Sequence, residues 1–377
     1  MNASSKPSKV VVIGGGIFGV STALHLARLG ADTLLVNDGP LANGASGRSL
    51  AWLNSARKRS DAYHRLRLAG IDRYRTLAAR YPDAPWLRFD GGLTWDADDA
   101  TNEIAEIFDY ERNLGYHAQW LTPEKIAAVT PGVDPSTVTP QGAIFNPGEG
   151  WVDLPSLIGR LAEEFSALGG EIIRDAGRAA VDVRNARARG VITADGTRHD
   201  ADAVLLAAGS EVPAIVAKAG QQIEDATSVA LLVRTKPIRH PLKAVLNTPR
   251  VAIRPMPNGG FALDSAWSEE EVSANPDGSY NVRQSTLQGL LREASRVLEG
   301  NPVLEIEDYG IGPKPIPGDG DPVFGELSSI QGYFVAFSHS GATLGLIAGE
   351  LLADEIAMGC RHPLLADFRP ERFSTAS

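Results

Sequence analysis

A chain of 377 residues with 43% hydrophobic and 22% charged residues has ordinary globular make-up, which excludes both a disordered polymer and a membrane-spanning bundle. Its net charge of -10 is spread without blocks of like sign, and no basic stripe interleaved with aromatics occurs, which argues against nucleic acid as the main partner. The single cysteine, Cys360, leaves no internal disulfide and no multi-cysteine metal centre. The polar start MNASSKPSK leads into an apolar run broken by glycines, too short for a signal peptide or a span, so a cytoplasmic location is expected. The length exceeds one ordinary core and predicts two domains, or one large domain carrying an insertion.

In chain order, the run Val10 to Ile13 reads as a strand ending in a turn with glycines at 14, 16 and 19. Gly14 suits the tight turn, Gly16 lets the backbone approach a diphosphate, and Gly19 lets the next helix pack closely on the strand. That helix, which carries Ile17 and Phe18 in its first turn, aims its amides and positive dipole end at the diphosphate. A second strand at Leu34 to Val36 ends where a carboxylate normally grips ribose hydroxyls, yet the position holds Asn37, followed by Asp38. Either Asn37 makes the contact through its amide, or Asp38 reaches the ribose with the register slipped by one.

The loop NGASGRS then offers Ala45, Ser46, Gly47, Arg48 and Ser49, whose backbone donors suit a second phosphate or the edge of a ring system. Further on, Asp153 reads as an N-cap and Pro155 as a first-turn residue, with Leu157, Ile158, Leu161 and Phe165 at helical spacing and a stop at Gly169-Gly170. Strands are expected at Ala180 to Val183 and Gly190 to Thr193, with a turn at Asp195-Gly196. ADAVLLAAG reads as a buried strand ending at Ala208 and Gly209, where small residues let a ligand pass close to the backbone. Short strands are expected at Val229 to Arg234, Val251 to Arg254 and Gly260 to Leu263, and Leu287 to Leu298 has the period of a covering helix. Near the end, YFVAFSHSGATLGLIAGELLADEI reads strand, turn, helix.

VVVIGGGIFGVSTALHLARLG, NGASGRS, ADAVLLAAG, PIPGDGDPVFG and FSHSGATLGLIAGELLADEI together resemble the FAD-dependent D-amino acid oxidase, glycine oxidase and sarcosine oxidase family. The resemblance implies an α/β fold, in which a discontinuous Rossmann-like FAD-binding domain (1–80, 151–225, 310–377) carries an inserted, mainly antiparallel β-sheet substrate domain (81–150, 226–309). It implies FAD, expected to be non-covalent because the single cysteine, Cys360, lies well past the place where sarcosine oxidases tether it, and oxidation of a C–N bond of an amino acid or amine by hydride transfer to flavin, with the imine hydrolysed in water. It places Gly341, Ala342 and Thr343 at the flavin edge, mostly through their amides, and Lys314 where glycine oxidase-like proteins carry an arginine for the substrate carboxylate. Lysine keeps the charge but lacks the two-pronged fork.

Arg254 is a second candidate for that anchor, or else a surface strand residue, and Arg48 sits over a phosphate or the flavin, or else in solvent. His339 reads as a base near flavin or substrate, or as a packed residue beside the turn. Trp52 and Trp267 either wall a substrate pocket or fill the core. No cysteine lies where sarcosine oxidases tether FAD, and no lysine occurs between Lys243 and Lys314, where they place the one that activates oxygen. The acceptor is therefore oxygen aided by another cation, or an electron carrier. Two further readings remain open: a 2-hydroxy acid dehydrogenase with His339 as base, and a flavin-binding subunit of a larger complex.

Overall fold

A computed structural model describes residues 9–373, so the expectation for the first eight residues lies outside the described part of the chain. Two compact units form, one from Met1–Gly47, Leu154–Ser228 and Pro313–Ser377, the other from Arg48–Asp153 and Val229–Gly312.

The first unit is built on a six-stranded sheet in the order Val323–Glu326, Tyr333–Phe337, Ala203–Leu206, Lys9–Ile13, Asp32–Val36, Glu171–Ile173. All neighbours run parallel except the edge strand Val323–Glu326, which is antiparallel to Tyr333–Phe337. Strands covered on both faces are apolar throughout rather than alternating, and Val10 to Ile13, Ala203–Leu206 and Tyr333–Phe337 are buried at every position. Helix Leu154–Ala167 follows the expected periodicity, burying Leu157, Ile158, Leu161 and Phe165, and ends before Gly169, whose φ of 89° favours glycine.

Helices Ile17–Arg28 and Gly341–Met358 lie against each other in parallel, because glycines leave no side chain between them. A Cβ at Gly345 would stand 2.3 Å from Ile17 and one at Gly349 2.2 Å from Ser21. A three-stranded antiparallel sheet, Ala180–Arg184, Arg187–Ile192 and Arg198–Asp200, completes this unit. Its first hairpin turns at Asn185-Ala186, both at positive φ, while the Asp195-Gly196 turn joins the second strand to the third.

The second unit holds an eight-stranded sheet in the order Ile306–Lys314, Ser228–Thr235, Phe261–Asp264, Ala252–Pro255, Val245–Asn247, Gly92–Thr94, Ala143–Asn146, Gln119–Leu121. Val245–Asn247 runs parallel to Gly92–Thr94, whereas the strands from Ser228–Thr235 to Val245–Asn247 and from Gly92–Thr94 to Gln119–Leu121 pair antiparallel. One face of the sheet carries Leu93, Phe145, Val233, Leu246, Ile253 and Leu263 into a core closed by Leu287, Leu290, Leu291 and Ala294 of helix Gln284–Val297.

Residues 48–80 depart from the expected division, since they pack in the second unit rather than the first. The reason is the segment's bonds to the rest of that unit: Ser55 N donates to Tyr116 Oη, Arg57 N to Glu111 Oε1, and Arg75 to the Gly148 carbonyl. A helix whose buried side carries His64 and Arg67 as well as Leu66 and Ile71 has no local mark of which unit it joins.

Candidate FAD cradle and substrate-side residues

The glycine turn of the first unit is fixed by its backbone. Gly14, at φ 116°, donates to the Val36 carbonyl, and a Cβ there would lie 2.3 Å from the Ala207 carbonyl oxygen. A Cβ at Gly19 would lie 1.9 Å from the Gly14 carbonyl oxygen, so the helix rests directly on the turn. Gly16 is the N-cap and provides no side chain to cap the first turn, which also contains no acid. The Ser46 hydroxyl accepts from the Ile17 amide at 3.1 Å, which draws the Ala45–Gly47 segment onto the helix start.

The last helix begins in the same manner. Its N-cap, Ser340, makes no side-chain cap, and its first turn, Gly341 to Thr343, carries no acid. A Cβ at Gly341 would lie 3.4 Å from Ile17, so two uncapped helix starts stand side by side. Each carries about half a positive charge, and parallel dipoles repel. An anion at their mouth offsets that repulsion, which is the demand a dinucleotide's diphosphate and the reducible ring's electron-rich edge satisfy. The cradle therefore fits FAD.

Asn37 is buried and its amide is engaged: Oδ1 accepts from Gly15 N at 2.6 Å, and Nδ2 donates to the carbonyls of Gly39 and Pro40 at 2.8 and 2.9 Å. A carboxylate there could accept the Gly15 bond but has no proton for the two carbonyls. Asn37 thus ties the loop to the glycine turn, while Asp38 is exposed. Ala208 and Gly209 lie beside the turn, since the same added Cβ at Gly14 would meet Ala208 N at 3.2 Å. His339 is exposed in the loop before the last helix, and Lys314, half-buried, ends the strand Ile306–Lys314.

Arg48, Ser49 and Arg254 belong to the second unit. The Ser49 hydroxyl accepts from Ala51 N. Arg48 lies over the strand Ile306–Lys314, where only glycine leaves it room: a Cβ at Gly312 would stand 2.6 Å from its guanidinium. Burial, and then Arg234, holds its pKa below the ordinary arginine value.

Arg254 is not a surface residue, being 3% exposed on the sheet face opposite Ile253. Its guanidinium lies 5.3 Å over the ring of Trp151, and its closest carboxylate, Asp153, is 3.9 Å away. Burial lowers its pKa to about 10, against the pull of Asp153. Trp267 packs on the covering helix and donates to the Arg250 carbonyl.

A buried polar network in this unit escaped the sequence reading. Tyr116 Oη donates to Glu149 Oε1 at 2.5 Å and accepts from Ser55 N, and Ser55 Oγ bonds His64 Nδ1 at 2.8 Å. Burial pushes Glu149, 0% exposed, up to about 8, with the Tyr116 and Trp52 donors pulling the other way. Burial also lowers His64, helped by Arg59 and Arg67. Among the described residues no cluster of His, Cys, Asp and Glu could hold a metal ion, and no helix is long and apolar enough to cross a membrane.

A family model for FAD dependent oxidoreductases (DAO) matches residues 9–355. The 4-methylaminobutanoate oxidase (formaldehyde-forming) of Paenarthrobacter nicotinovorans is 26% identical over 322 residues, which cover 84% of this chain and 34% of that protein. The chain thus spans about a third of that relative's length. Glycine oxidase of Bacillus licheniformis is 22% identical over 357 residues, 92% of each chain. Among solved structures, glycine oxidase from Geobacillus kaustophilus superposes with a TM-score of 0.80 at 21% identity, covering 98% of this chain and 99% of the other, a likeness of fold.

Proposed function

The chain belongs to the FAD dependent oxidoreductase family, and from that premise we propose that it oxidises a C–N bond of a small amine or amino acid. The observation that carries the cofactor's place is the pair of uncapped, acid-free helix starts of the first unit, packed against each other through Gly341 and Ile17. The relatives named glycine oxidase and 4-methylaminobutanoate oxidase support a nitrogen substrate. FAD, when bound, would supply a two-electron acceptor for the C–H hydrogen and its electron pair, and the imine product would hydrolyse in water.

The protein's own contribution is to hold the charge and the proton. The amides of Gly341, Ala342 and Thr343 and the glycine turn hold the anionic parts of the cofactor, and Ser46 and Asn37 fix the loops that line them. The substrate nitrogen must be neutral for its lone pair to assist C–H cleavage. His339, exposed beside the last helix, is the group we assign to accept that proton, and Lys314 supplies a cation at the end of its strand. The first unit serves as the FAD domain and the second as the substrate domain, in a cytoplasmic protein that hands its electrons to oxygen or a carrier.

Anaerobic bleaching of the bound flavin tests this reading, with a panel of N-methyl amino acids, D- and L-amino acids, simple amines and 2-hydroxy acids. Bleaching by a nitrogen compound supports it, and air then separates oxidase from dehydrogenase. Bleaching by hydroxy acids alone overturns it.

A further inference from the structure

The edge strand of the first unit, Val323–Glu326, is covered by the late helical turns Pro363–Phe368 and Pro370–Phe373. Covering an open strand edge needs only that its pairing be blocked. Two arginines of this segment do more. Arg369 grips the buried Glu355 of helix Gly341–Met358 with bonds of 2.5 and 2.6 Å, and Glu355 also accepts from His362 N at 2.7 Å. Gly325 makes the room, since a Cβ there would stand 2.6 Å from Arg369 Nη1.

Arg372 is the second fastening. It donates to both carboxylate oxygens of Asp319, at 2.6 and 3.0 Å, and to the carbonyls of Asp321 and Pro322, at 2.8 and 2.9 Å. All of these acceptors belong to the loop 318–322, whose own bonds are local: Gly320 N to the Pro317 carbonyl and Asp321 N to Asp319 Oδ1. The loop stands at the cofactor end of the sheet. Val323 pairs with Phe337, the last residue of its strand before the turn into helix Gly341–Met358. One residue on, the buried Phe324 ring meets Phe18 edge-on, with centroids 5.3 Å apart, and Phe18 lies in the first turn of helix Ile17–Arg28. A Cβ at Gly341 would be 3.8 Å from the same Phe18 ring. The loop therefore leads directly into the contact between the two uncapped helix starts.

We propose that the segment 363–373 is a strap that retains FAD: Arg369 fastens it to the last helix, and Arg372, a positioning residue, holds the loop 318–322 in place beside the two helix starts. The inference concerns how long the cofactor stays and goes beyond the question of which bond is oxidised. Arg372 acts in two ways. Its fork fixes the backbone that leads to Phe324, and its charge balances Asp319 at the end of the sheet where the cradle takes an anion. Breaking the grip loosens the support under Phe18 and leaves an acid uncompensated near the anionic cofactor, and both effects speed FAD departure.

The test follows FAD release from the loaded protein, by the rise in flavin fluorescence on dilution, beside thermal unfolding of the loaded and flavin-free forms. Arg372→Met should speed release by about 5- to 50-fold, the weight of a charged two-pronged contact reduced by partial exposure to solvent. Arg372→Lys keeps the charge and loses the fork, so its release rate should fall between those of the native chain and Arg372→Met. Adding Asp319→Ala to Arg372→Met should make release no faster, because the two residues act through one contact. Arg28→Met serves as the control. It breaks an exposed pair with Glu164 at the far end of helix Ile17–Arg28 and should release FAD within about twofold of the native rate.

A native release rate in Arg372→Met overturns the strap and leaves the segment an edge cover, whatever happens to the melting temperature. Release as fast in Arg28→Met as in Arg372→Met also overturns it, because general loosening of the unit would then be the cause. If Arg372→Met does not fold, Arg372→Lys and Asp319→Asn decide the matter: native release in both overturns the proposal, and faster release in either supports it.

Discussion

Replacing Glu149 by Gln isolates the effect of one buried carboxyl on stability. In the folded chain Glu149 is fully buried and holds its proton up to about pH 8, against an ordinary value of 4.5. Its folded-state pKa is raised, so between those two values the folded state binds more protons than the unfolded one, and stability falls as pH rises. Linkage over that window amounts to about 4 kcal/mol lost between pH 5 and pH 8.5. With an unfolding entropy of about 2.1 cal/mol/K per residue, each kcal/mol moves the melting temperature of a chain this long by roughly 1.3 °C, so the loss is about 5 °C.

Glu149→Gln keeps an oxygen to accept from Tyr116 and cannot ionise. Thermal unfolding followed across pH 5 to 8.5 should therefore show the native chain descending toward the variant and meeting or crossing it on the alkaline side. Curves that stay parallel across that range would mean that Glu149 is already ionised at pH 5, and the desolvation argument would fail.

Three further outcomes follow from the geometry. Asn37→Ala removes three hydrogen bonds and leaves the Gly15 amide and two carbonyls without their partner; it should cost roughly 2–4 kcal/mol in thermal stability and speed FAD release from the purified protein. Gly16→Val fills the approach to the uncapped helix start and should give colourless protein; full flavin loading, read from the ratio of flavin to protein absorbance, would remove the turn from the cofactor site. Arg369→Met strands the buried Glu355 that Arg369 grips with two bonds at 2.5 and 2.6 Å, at a cost of about 3–5 kcal/mol; adding Glu355→Gln should restore much of the loss, and calorimetry of both variants decides it.

The glycine turn was legible in the sequence because each of its glycines answers to a local backbone demand, and the structure shows that demand in the contacts of Gly14 and Gly19. The buried strands were legible for a similar reason: a sheet covered on both faces needs continuous apolar runs such as VVVI and AVLL. Asn37 was visible as a departure, yet its meaning depends on the carbonyls of Gly39 and Pro40, whose direction is set by the loop's path. Glu149 sits in NPGEGWVD, which reads as a polar turn; only the pairing of Gly150–Val152 with Trp52–Leu53 and Leu87–Arg88 closes over it. Trp151 and the burial of Arg254 were hidden likewise, because contact between residues a hundred positions apart leaves no periodic trace.

The interleaving of the two units also fixes when the protein can first hold its cofactor. The strand Lys9–Ile13 leaves the ribosome some three hundred residues before Tyr333–Phe337 and the helix that follows. At about 5–20 residues per second the nascent glycine turn waits roughly 15–65 s for the second helix start. During that interval both segments of the second unit have emerged, so its sheet can close while the first unit's sheet is still missing a strand. The two helix starts are therefore made some three hundred residues apart, and until the second arrives the parallel sheet keeps an open edge, the form most exposed to proteases and aggregation.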